Sequence, residues 1–196
     1  MSSIKWGWVG LTIYRFMLQK ICSFIVFTVL GWKVEGQLPT ENKLILAGLP
    51  HTSNWDFPIA WLAITALGLK MNIFVKDVYH TWPLNYVCDF FGALPVNRRK
   101  STRFVDAVVE QFATAETLRL VIAPEGTRKF SPKLKSGYYY IAKAANIPIV
   151  LAAPNYKEKT YTFMPARAAM ETFEEDEQNL IEFCKKIDGK YPKNSF

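Results

Sequence analysis

The chain has few of the residues that build cross-links and metal centres. Its 196 residues include three cysteines, which lie far apart, and two histidines. An odd number of dispersed cysteines argues against a disulfide framework and favours a reducing compartment. Without a cysteine pair at zinc-ligand spacing or a group of histidines, a structural zinc site and a histidine-rich centre are excluded. We therefore expect no metal.

Several catalytic signatures are also missing. There is no Gly-x-Ser-x-Gly elbow, which disfavours a serine hydrolase. The glycines form neither a dinucleotide fingerprint nor a P-loop. No internal repeat or low-complexity linker divides the chain, and half of its residues are hydrophobic. One folded domain with a sizeable core follows from this composition.

The sequence also lacks a long uncharged apolar run. Residues 1–33 are strongly apolar, but Arg15 and Lys20 interrupt them and leave residues 21–32 as the longest run free of charge. Twelve helical residues reach about 18 Å, against a hydrocarbon core of about 30 Å. We expect a membrane-associating helical segment in one leaflet, with its three tryptophans (Trp6, Trp8, Trp32) at headgroup depth. A helix packed on the domain and a single tilted span are the alternatives.

Positive charge is abundant and unevenly placed. The net charge is +7, and residues 98–143 carry ten lysines and arginines against four acids. Such a segment favours an anionic partner: nucleic acid, an acidic membrane surface or a phosphorylated small molecule. A solvated basic face is the alternative.

Residues 34–196 alternate between strand-like and helix-like patterns. They predict a layered single α/β domain, with a mixed, largely parallel sheet flanked by helices. We expect strands at 44–49, 71–76, 92–96, 118–123, 147–153 and 160–164. We expect helices at 57–69, from 101 onward, at 136–146 and after 172, the last opened by a capping box of Thr172 and Glu175.

The stretch HTSNWD places His51 five residues before Asp56, directly after a predicted strand. Ligands in α/β domains bind at the carboxyl ends of strands. A strand-to-helix turn can bring a carboxylate back to an imidazole, holding its tautomer as a general base requires. The alternative is that Asp56 caps the following helix and His51 only lines a loop.

Two further predicted strands end in residues suited to an anion. In PEGTR, Gly126 permits unusual backbone geometry, and Thr127 and Arg128 are natural partners of a phosphate. Glu125 could orient Arg128 or accept from a substrate hydroxyl. Arg98 follows the strand GALPV. Since the ends of parallel strands share one edge of a sheet, these residues and His51 are expected to lie together, although PEGTR alone could also be a solvated turn.

Four blocks together resemble the glycerolipid acyltransferase family, which includes 1-acyl-glycerol-3-phosphate acyltransferase. The blocks are HTSNWD, GALPVNR, PEGTR and IPIV, and the resemblance covers about residues 34–152. The chain departs from the family pattern at Pro50, Ala123 and Leu151. None of these departures touches the histidine, the aspartate or the Glu-Gly-Thr-Arg, so they bear on the acceptor more than on the chemistry.

The resemblance implies transfer of a fatty acyl group from a thioester to the hydroxyl of a lysophospholipid, first of all 1-acyl-glycerol-3-phosphate. His51 and Asp56 are then catalytic, and Lys76 is a candidate contact for the oxyanion or the donor. Five residues would bind substrate: Arg98, Glu125, Gly126, Thr127 and Arg128. No cofactor is expected, because acyl-CoA or acyl carrier protein enters as the donor substrate. The enzyme would work at the cytoplasmic face of a membrane as a monotopic protein.

Three alternatives remain from the sequence. The acceptor could be another lyso-lipid or an amino-acid lipid. A peripheral protein that binds anionic lipid without catalysis would explain the basic segment, although binding alone requires neither His51 nor Asp56. A nucleic-acid binder would leave the apolar amino terminus unexplained, so nucleic acid is not expected as a partner.

Overall fold

The computed structural model describes residues 3–76, 81–96 and 104–196, and describes only the backbone of residues 3–11, 76 and 96. One sheet of seven strands runs through the molecule in the order β1-β7-β6-β2-β5-β3-β4. Its strands are β1 (Lys33–Gly36), β2 (Lys43–Gly48), β3 (Asn72–Lys76), β4 (Ala93–Val96), β5 (Leu118–Ile122), β6 (Ile149–Asn155) and β7 (Thr160–Phe163).

The five strands from β4 to β6 in this order are parallel to one another. The strand β7 is antiparallel to β6, and β1 is parallel to β7, so this edge pair runs in the opposite direction. The prediction of a mixed, largely parallel sheet in an α/β domain is confirmed. As a consequence, the carboxyl ends of β2, β3, β4, β5 and β6 lie at one edge of the sheet.

Helices cover both faces of the sheet. They are α1 (Ser3–Ser23), which continues as a π-helical stretch (Phe24–Val29), α2 (Asp56–Ala66), α3 (Leu84–Phe90), α4 (Phe104–Thr114), α5 (Gly137–Ala145) and α6 (Phe173–Cys184). Along β2, Ile45 and Ala47 pack with α4, α5 and α6, whereas Leu44 and Leu46 pack with α2 and the end of α1. This alternation, inherent to a strand, divides the core into two layers.

The helix α6 is fixed by the predicted capping box and by a buried carboxylate. The Thr172 hydroxyl accepts from the Glu175 amide, which confirms the box. Asp176 is fully buried and accepts from the Arg167 guanidinium and the Tyr138 hydroxyl. Burial alone would raise the pKa of Asp176, but the hydrogen bonds it accepts outweigh burial and lower this pKa. The ion pair therefore joins Arg167, which precedes α6 in the chain, to this helix, and the Tyr138 hydroxyl joins α5 to it.

The amino-terminal segment is one continuous helical run from Ser3 to Val29. Residues Thr12–Val29 are long and apolar enough to cross a membrane by length and composition, and 11% of this window is buried. Inward-facing residues of the run, Cys22 and Val26, join the core beside α2. Trp32 was expected among lipid headgroups; this was wrong, because its side chain is only 6% exposed and packs edge-on against Tyr156.

Candidate active site

The loop between β2 and α2 carries His51 and Asp56 at the sheet edge where the parallel strands end. Thr52 and Ser53, which lie between them, are buried, and the Ser53 hydroxyl accepts from the Trp55 amide. Asp56 is the first residue of α2, and the residue that flanks the helix at the N-cap position is Trp55. The loop is therefore a tight turn that returns Asp56 toward His51.

The carboxylate of Asp56 is a centre of hydrogen bonding. Its Oδ2 atom lies 3.1 Å from His51 Nδ1 and accepts from the backbone amides of Thr52 and Ser53, each at 2.8 Å. Its Oδ1 atom accepts from the Tyr156 hydroxyl at 2.8 Å. Asp56 thus binds the loop that precedes α2, and no side-chain hydrogen bond caps this helix. Because an ionised carboxylate only accepts, Nδ1 carries hydrogen and Nε2 is left to take a proton.

Glu125 contacts the backbone of His51. Its side chain is 3% exposed, and its Oε2 atom accepts from the His51 backbone amide at 2.6 Å. Burial raises the pKa of Glu125 to about 7, against the opposing effects of the His51 amide and ring; the charge of Asp56 adds to the increase. In this structure Glu125 orders the loop that holds His51, and its predicted contact with substrate stays a prediction.

A cavity of about 780 Å³ opens beside His51. Its apolar wall comes from β3, α4, β5 and α5, and its polar side comes from the loop after β5. The apolar residues are Ile73, Phe74, Phe104, Val121, Ile122, Ala123, Tyr138 and Ile141; the others are His51, Gly126, Thr127, Arg128, Lys135 and Gly137. A space with one apolar wall and one basic wall suits an amphiphile with a negatively charged head.

The loop after β5 has the backbone geometry that the sequence indicated. Gly126 has a φ of +65°, a region that residues with a side chain rarely adopt. The Lys135 side chain packs closely beside Gly126: its Cγ atom lies 3.3 Å from the position that a β-carbon on Gly126 would take. Thr127 and Arg128 are exposed, and the Thr127 hydroxyl accepts from the Lys129 amide at 3.3 Å. The structure brings this loop and His51 to one cavity.

The side chains of two predicted site residues are outside the part of the chain that the structure describes. Arg98 falls outside the described residues, and Lys76 is described by its backbone, which ends β3 at the same edge of the sheet. Their roles stay predictions. Within the part of the chain that the structure describes, no group of three or more His, Cys, Asp or Glu could hold a metal ion.

Sequence reasoning missed two side chains of the site. Tyr156, which donates to Asp56, directly follows the carboxyl end of β6 at Asn155. The strand predicted there ended at residue 153. The rule that placed His51 at the edge of the sheet would have found Tyr156 as well. Lys135 was counted in the basic segment but not assigned to the cavity, because its position depends on the course of the loop after Gly126.

A carboxyl-terminal segment, residues 185–196, lies against the same loops. The Tyr191 amide donates to the Thr52 hydroxyl at 3.3 Å. Gly189 fits closely: a β-carbon there would stand 2.8 Å from the Thr52 methyl group. The Phe196 ring meets Phe130 with 5.5 Å between ring centres. The segment therefore contacts both loops that contribute to the cavity.

Comparison with known families shows the family to which the chain belongs. The family model described as Acyltransferase matches residues 32–153, more than half of the chain. The chain belongs to the acyltransferase family. The resemblance seen in the four sequence blocks is thereby confirmed, and so is the prediction of an enzyme that transfers acyl groups.

A solved structure supports the fold of this acyltransferase. The crystal structure of the 1-acyl-sn-glycerophosphate (LPA) acyltransferase PlsC from Thermotoga maritima is similar, with a TM-score of 0.56 and 16% sequence identity. The similarity covers 88% of this chain and 78% of that chain. At this identity the likeness shows the fold. A comparison with curated protein sequences gives no significant match.

Glu125→Gln should remove a pH dependence of stability. The folded state binds the Glu125 proton more tightly than the unfolded state, with a pKa of about 7 against 4.5. The contribution of Glu125 to the stability of the wild-type protein is therefore full below pH 4.5 and is lost as pH rises through 7. Between pH 5 and pH 8 the wild type should lose about 2–3 kcal/mol more than Glu125→Gln, as measured by urea unfolding.

Glu177→Gln is the matched control for this comparison. Its carboxylate also accepts a backbone amide, that of Leu134, at 2.7 Å. The difference in unfolding free energy between Glu177→Gln and the wild type should be the same at pH 5 and at pH 8. A Glu125→Gln protein whose stability falls in parallel with the wild type would contradict the assignment.

Proposed function

We propose that this acyltransferase moves a fatty acyl group from acyl-CoA or acyl carrier protein to the free hydroxyl of a lysophospholipid. The first candidate for the acceptor is 1-acyl-glycerol-3-phosphate, which would give phosphatidic acid. The observation that carries the proposal is the hydrogen bond between Asp56 and His51 Nδ1 at the mouth of the cavity. The name of the structurally similar PlsC, an LPA acyltransferase, supports the choice of acceptor.

In the proposed reaction His51 is the general base. Its Nε2 atom takes the proton of the acceptor hydroxyl as that oxygen attacks the thioester carbonyl carbon. Asp56 stabilises the imidazolium that forms. The tetrahedral intermediate then collapses, the C–S bond breaks, and the imidazolium gives its proton to the departing thiolate. The products are an ester and a free thiol, and no covalent enzyme intermediate is needed because the thioester is already activated.

The walls of the cavity support an amphiphilic acceptor. Arg128 and Lys135 line the same space as His51, and Gly126 leaves backbone exposed there. We assign the phosphate of the acceptor to this basic side, where Arg128 can form two parallel hydrogen bonds. The apolar residues that line the same cavity suit an acyl chain. Lys76 and Arg98 remain candidates for the oxyanion or donor contact and for the phosphate, respectively.

His51→Ala should lower kcat by about 10²–10⁴-fold, because general-base catalysis contributes about that factor. The measurement is thiol release from a labelled acyl thioester, with and without 1-acyl-glycerol-3-phosphate, together with mass spectrometry of the lipid product. Circular dichroism would show that the variant stays folded.

The outcomes of this assay separate the candidate functions. A folded His51→Ala enzyme with wild-type turnover would refute the mechanism. Turnover with another lyso-lipid or an amino-acid lipid, and none with 1-acyl-glycerol-3-phosphate, would change the assigned acceptor. The proposed mechanism would still stand. A wild-type protein that binds anionic lipid but releases no thiol with any acceptor would be a binding protein without catalysis.

Arg128→Gln should weaken the use of phosphate-bearing acceptors selectively. A charge-assisted hydrogen bond contributes about 1.5–3 kcal/mol, and the lower end applies here because Arg128 is exposed. We expect kcat/KM to fall about 10-fold with 1-acyl-glycerol-3-phosphate and to change little with 1-acyl-glycerol. Arg128→Lys should recover only part of the loss, since lysine lacks the planar fork.

Lys129→Gln supplies the control for charge. It removes the same charge one residue away, from an exposed side chain outside the lining of the cavity. It should leave both acceptors within about 2-fold of the wild type, as surface charges contribute little. An equal loss on both acceptors in Arg128→Gln would show that Arg128 does not recognise the phosphate.

We also propose that the enzyme lies on a membrane surface as a monotopic protein, at the cytoplasmic face. Two exposed apolar surfaces support this. The outer face of the amino-terminal helix exposes Ile13, Phe16, Met17, Ile21 and Phe24. The described helix α3 buries none of its residues, and the turn before it exposes Trp82 by 80%. An isolated exposed apolar side chain is ordinary, but contiguous patches mark interaction sites.

The two surfaces meet at a groove of about 540 Å³. Phe16 of α1 and Phe90 of α3 line it together, and its charged residues are Arg15, Lys70 and Asp89. Basic residues next to apolar ones suit an anionic bilayer, with aromatic rings at headgroup depth. The ring of Phe91, the residue that follows α3, lies 5.5 Å from the ring of Phe57, the residue that follows Asp56. Lipid bound at α3 would lie near the catalytic loop.

Substituting Leu84, Tyr86 and Val87 together by serine should weaken binding to vesicles of anionic phospholipid at least about 10-fold, because apolar area no longer leaves water. Sedimentation with vesicles measures the binding. A triple serine variant at Leu38, Tyr140 and Met164, which are also exposed, is the matched control. Equal binding of the two variants would contradict a role for α3, and activity on detergent-dispersed acceptor should be retained by both.

A further inference from the structure

Tyr156 contacts the proposed catalytic pair from outside every sequence block that suggested the function. Its hydroxyl donates to Asp56 Oδ1 at 2.8 Å, across 100 residues of sequence. The family match ends at residue 153, so Tyr156 lies beyond it. The two oxygens of Asp56 are used differently: Oδ2 serves the loop and His51, and Oδ1 accepts from Tyr156.

The Tyr156 side chain is held from several directions. The ring meets Trp32 edge-on with 5.2 Å between ring centres. The Tyr156 amide donates to the Asp188 carbonyl at 2.8 Å, and the Lys190 ammonium lies 5.8 Å from the ring centre. A phenol fixed in this way can fix its own acceptor in turn. Burial, then the charge of Asp56 and the hydrogen bond to it, raises the pKa of Tyr156, so the hydroxyl keeps its proton.

We propose that Tyr156 is a positioning residue that sets the rotation of the Asp56 carboxylate and, through it, the orientation of the His51 imidazole. The inference rests on the proposed function of His51 and Asp56. Amide donors from Thr52 and Ser53 converge on Oδ2 alone. A donor on Oδ1 opposes rotation of the carboxylate about its bond to the β-carbon. The Oδ2 atom therefore stays directed at Nδ1, and the ring keeps Nε2 available to the acceptor hydroxyl.

The test is a double-substitution cycle in the full chain, with acyl-CoA and 1-acyl-glycerol-3-phosphate. Tyr156→Phe keeps the ring and removes the hydroxyl. It should lower kcat about 10-fold and leave both KM values within about 2-fold. In an Asp56→Ala background, the same substitution should change kcat by less than about 2-fold, because the group through which Tyr156 acts is gone.

Tyr139→Phe is the matched control. It removes the hydroxyl of a second tyrosine, which is buried and does not line the cavity. That hydroxyl donates to the Glu171 carbonyl at 2.8 Å. Tyr139→Phe should lower Tm by an amount similar to that of Tyr156→Phe and leave kcat unchanged. Losses that multiply in the two backgrounds, or an unchanged kcat in Tyr156→Phe, would overturn the positioning role. Wild-type turnover in His51→Ala would instead refute the proposed function itself.

A second measurement applies if Tyr156→Phe does not fold. Fluorine at ring position 3 of Tyr156 nearly preserves the shape of the side chain and makes the hydroxyl a stronger donor. Stronger donation withdraws charge from Asp56, which then stabilises the imidazolium less. The acid limb of the pH profile of kcat/KM should move to lower pH. An acid limb that stays in place would overturn the proposal.

Discussion

The site depends on one carboxylate that is nearly withdrawn from water and still fully hydrogen-bonded. Asp56 accepts from two backbone amides, an imidazole and a phenol. A buried carboxylate without such donors would be costly to keep ionised. The path of the β2–α2 loop, the start of α2 and the tautomer of His51 all follow from satisfying this group. The parallel strands supply the rigid edge on which it is assembled.

Much of this arrangement could be predicted from the sequence, because the relevant signals are local. Strand periodicity placed His51 and Gly126 after strands, and the common edge of a parallel sheet then brought them together. The capping box at Thr172 is a four-residue signal and needs no tertiary information. Family resemblance rested on motif order and spacing, which survive where overall identity is low.

The contacts that could not be predicted depend on tertiary structure. Glu125 is followed in the sequence by exposed residues, yet its carboxylate is buried and accepts from the His51 amide, a contact between residues 74 positions apart. Trp32 was misassigned because an apolar residue destined for a core and one destined for lipid give the same pattern. The exposure of α3 was equally invisible, since an aromatic-rich helix ordinarily packs on its neighbours. Asp56 and Tyr156 meet only because β6 lies beside β2.

The carboxyl-terminal segment changes where this enzyme can tolerate alteration. The outer residues of a domain usually accept insertions, deletions and sequence drift, because little depends on their position. Here Gly189 is pressed against Thr52 in the loop that holds His51, and the Asp188 carbonyl accepts from the amide of Tyr156 behind Asp56. Substitutions in residues 185–196 can therefore displace both that loop and Tyr156. These residues belong to the scaffold of the site.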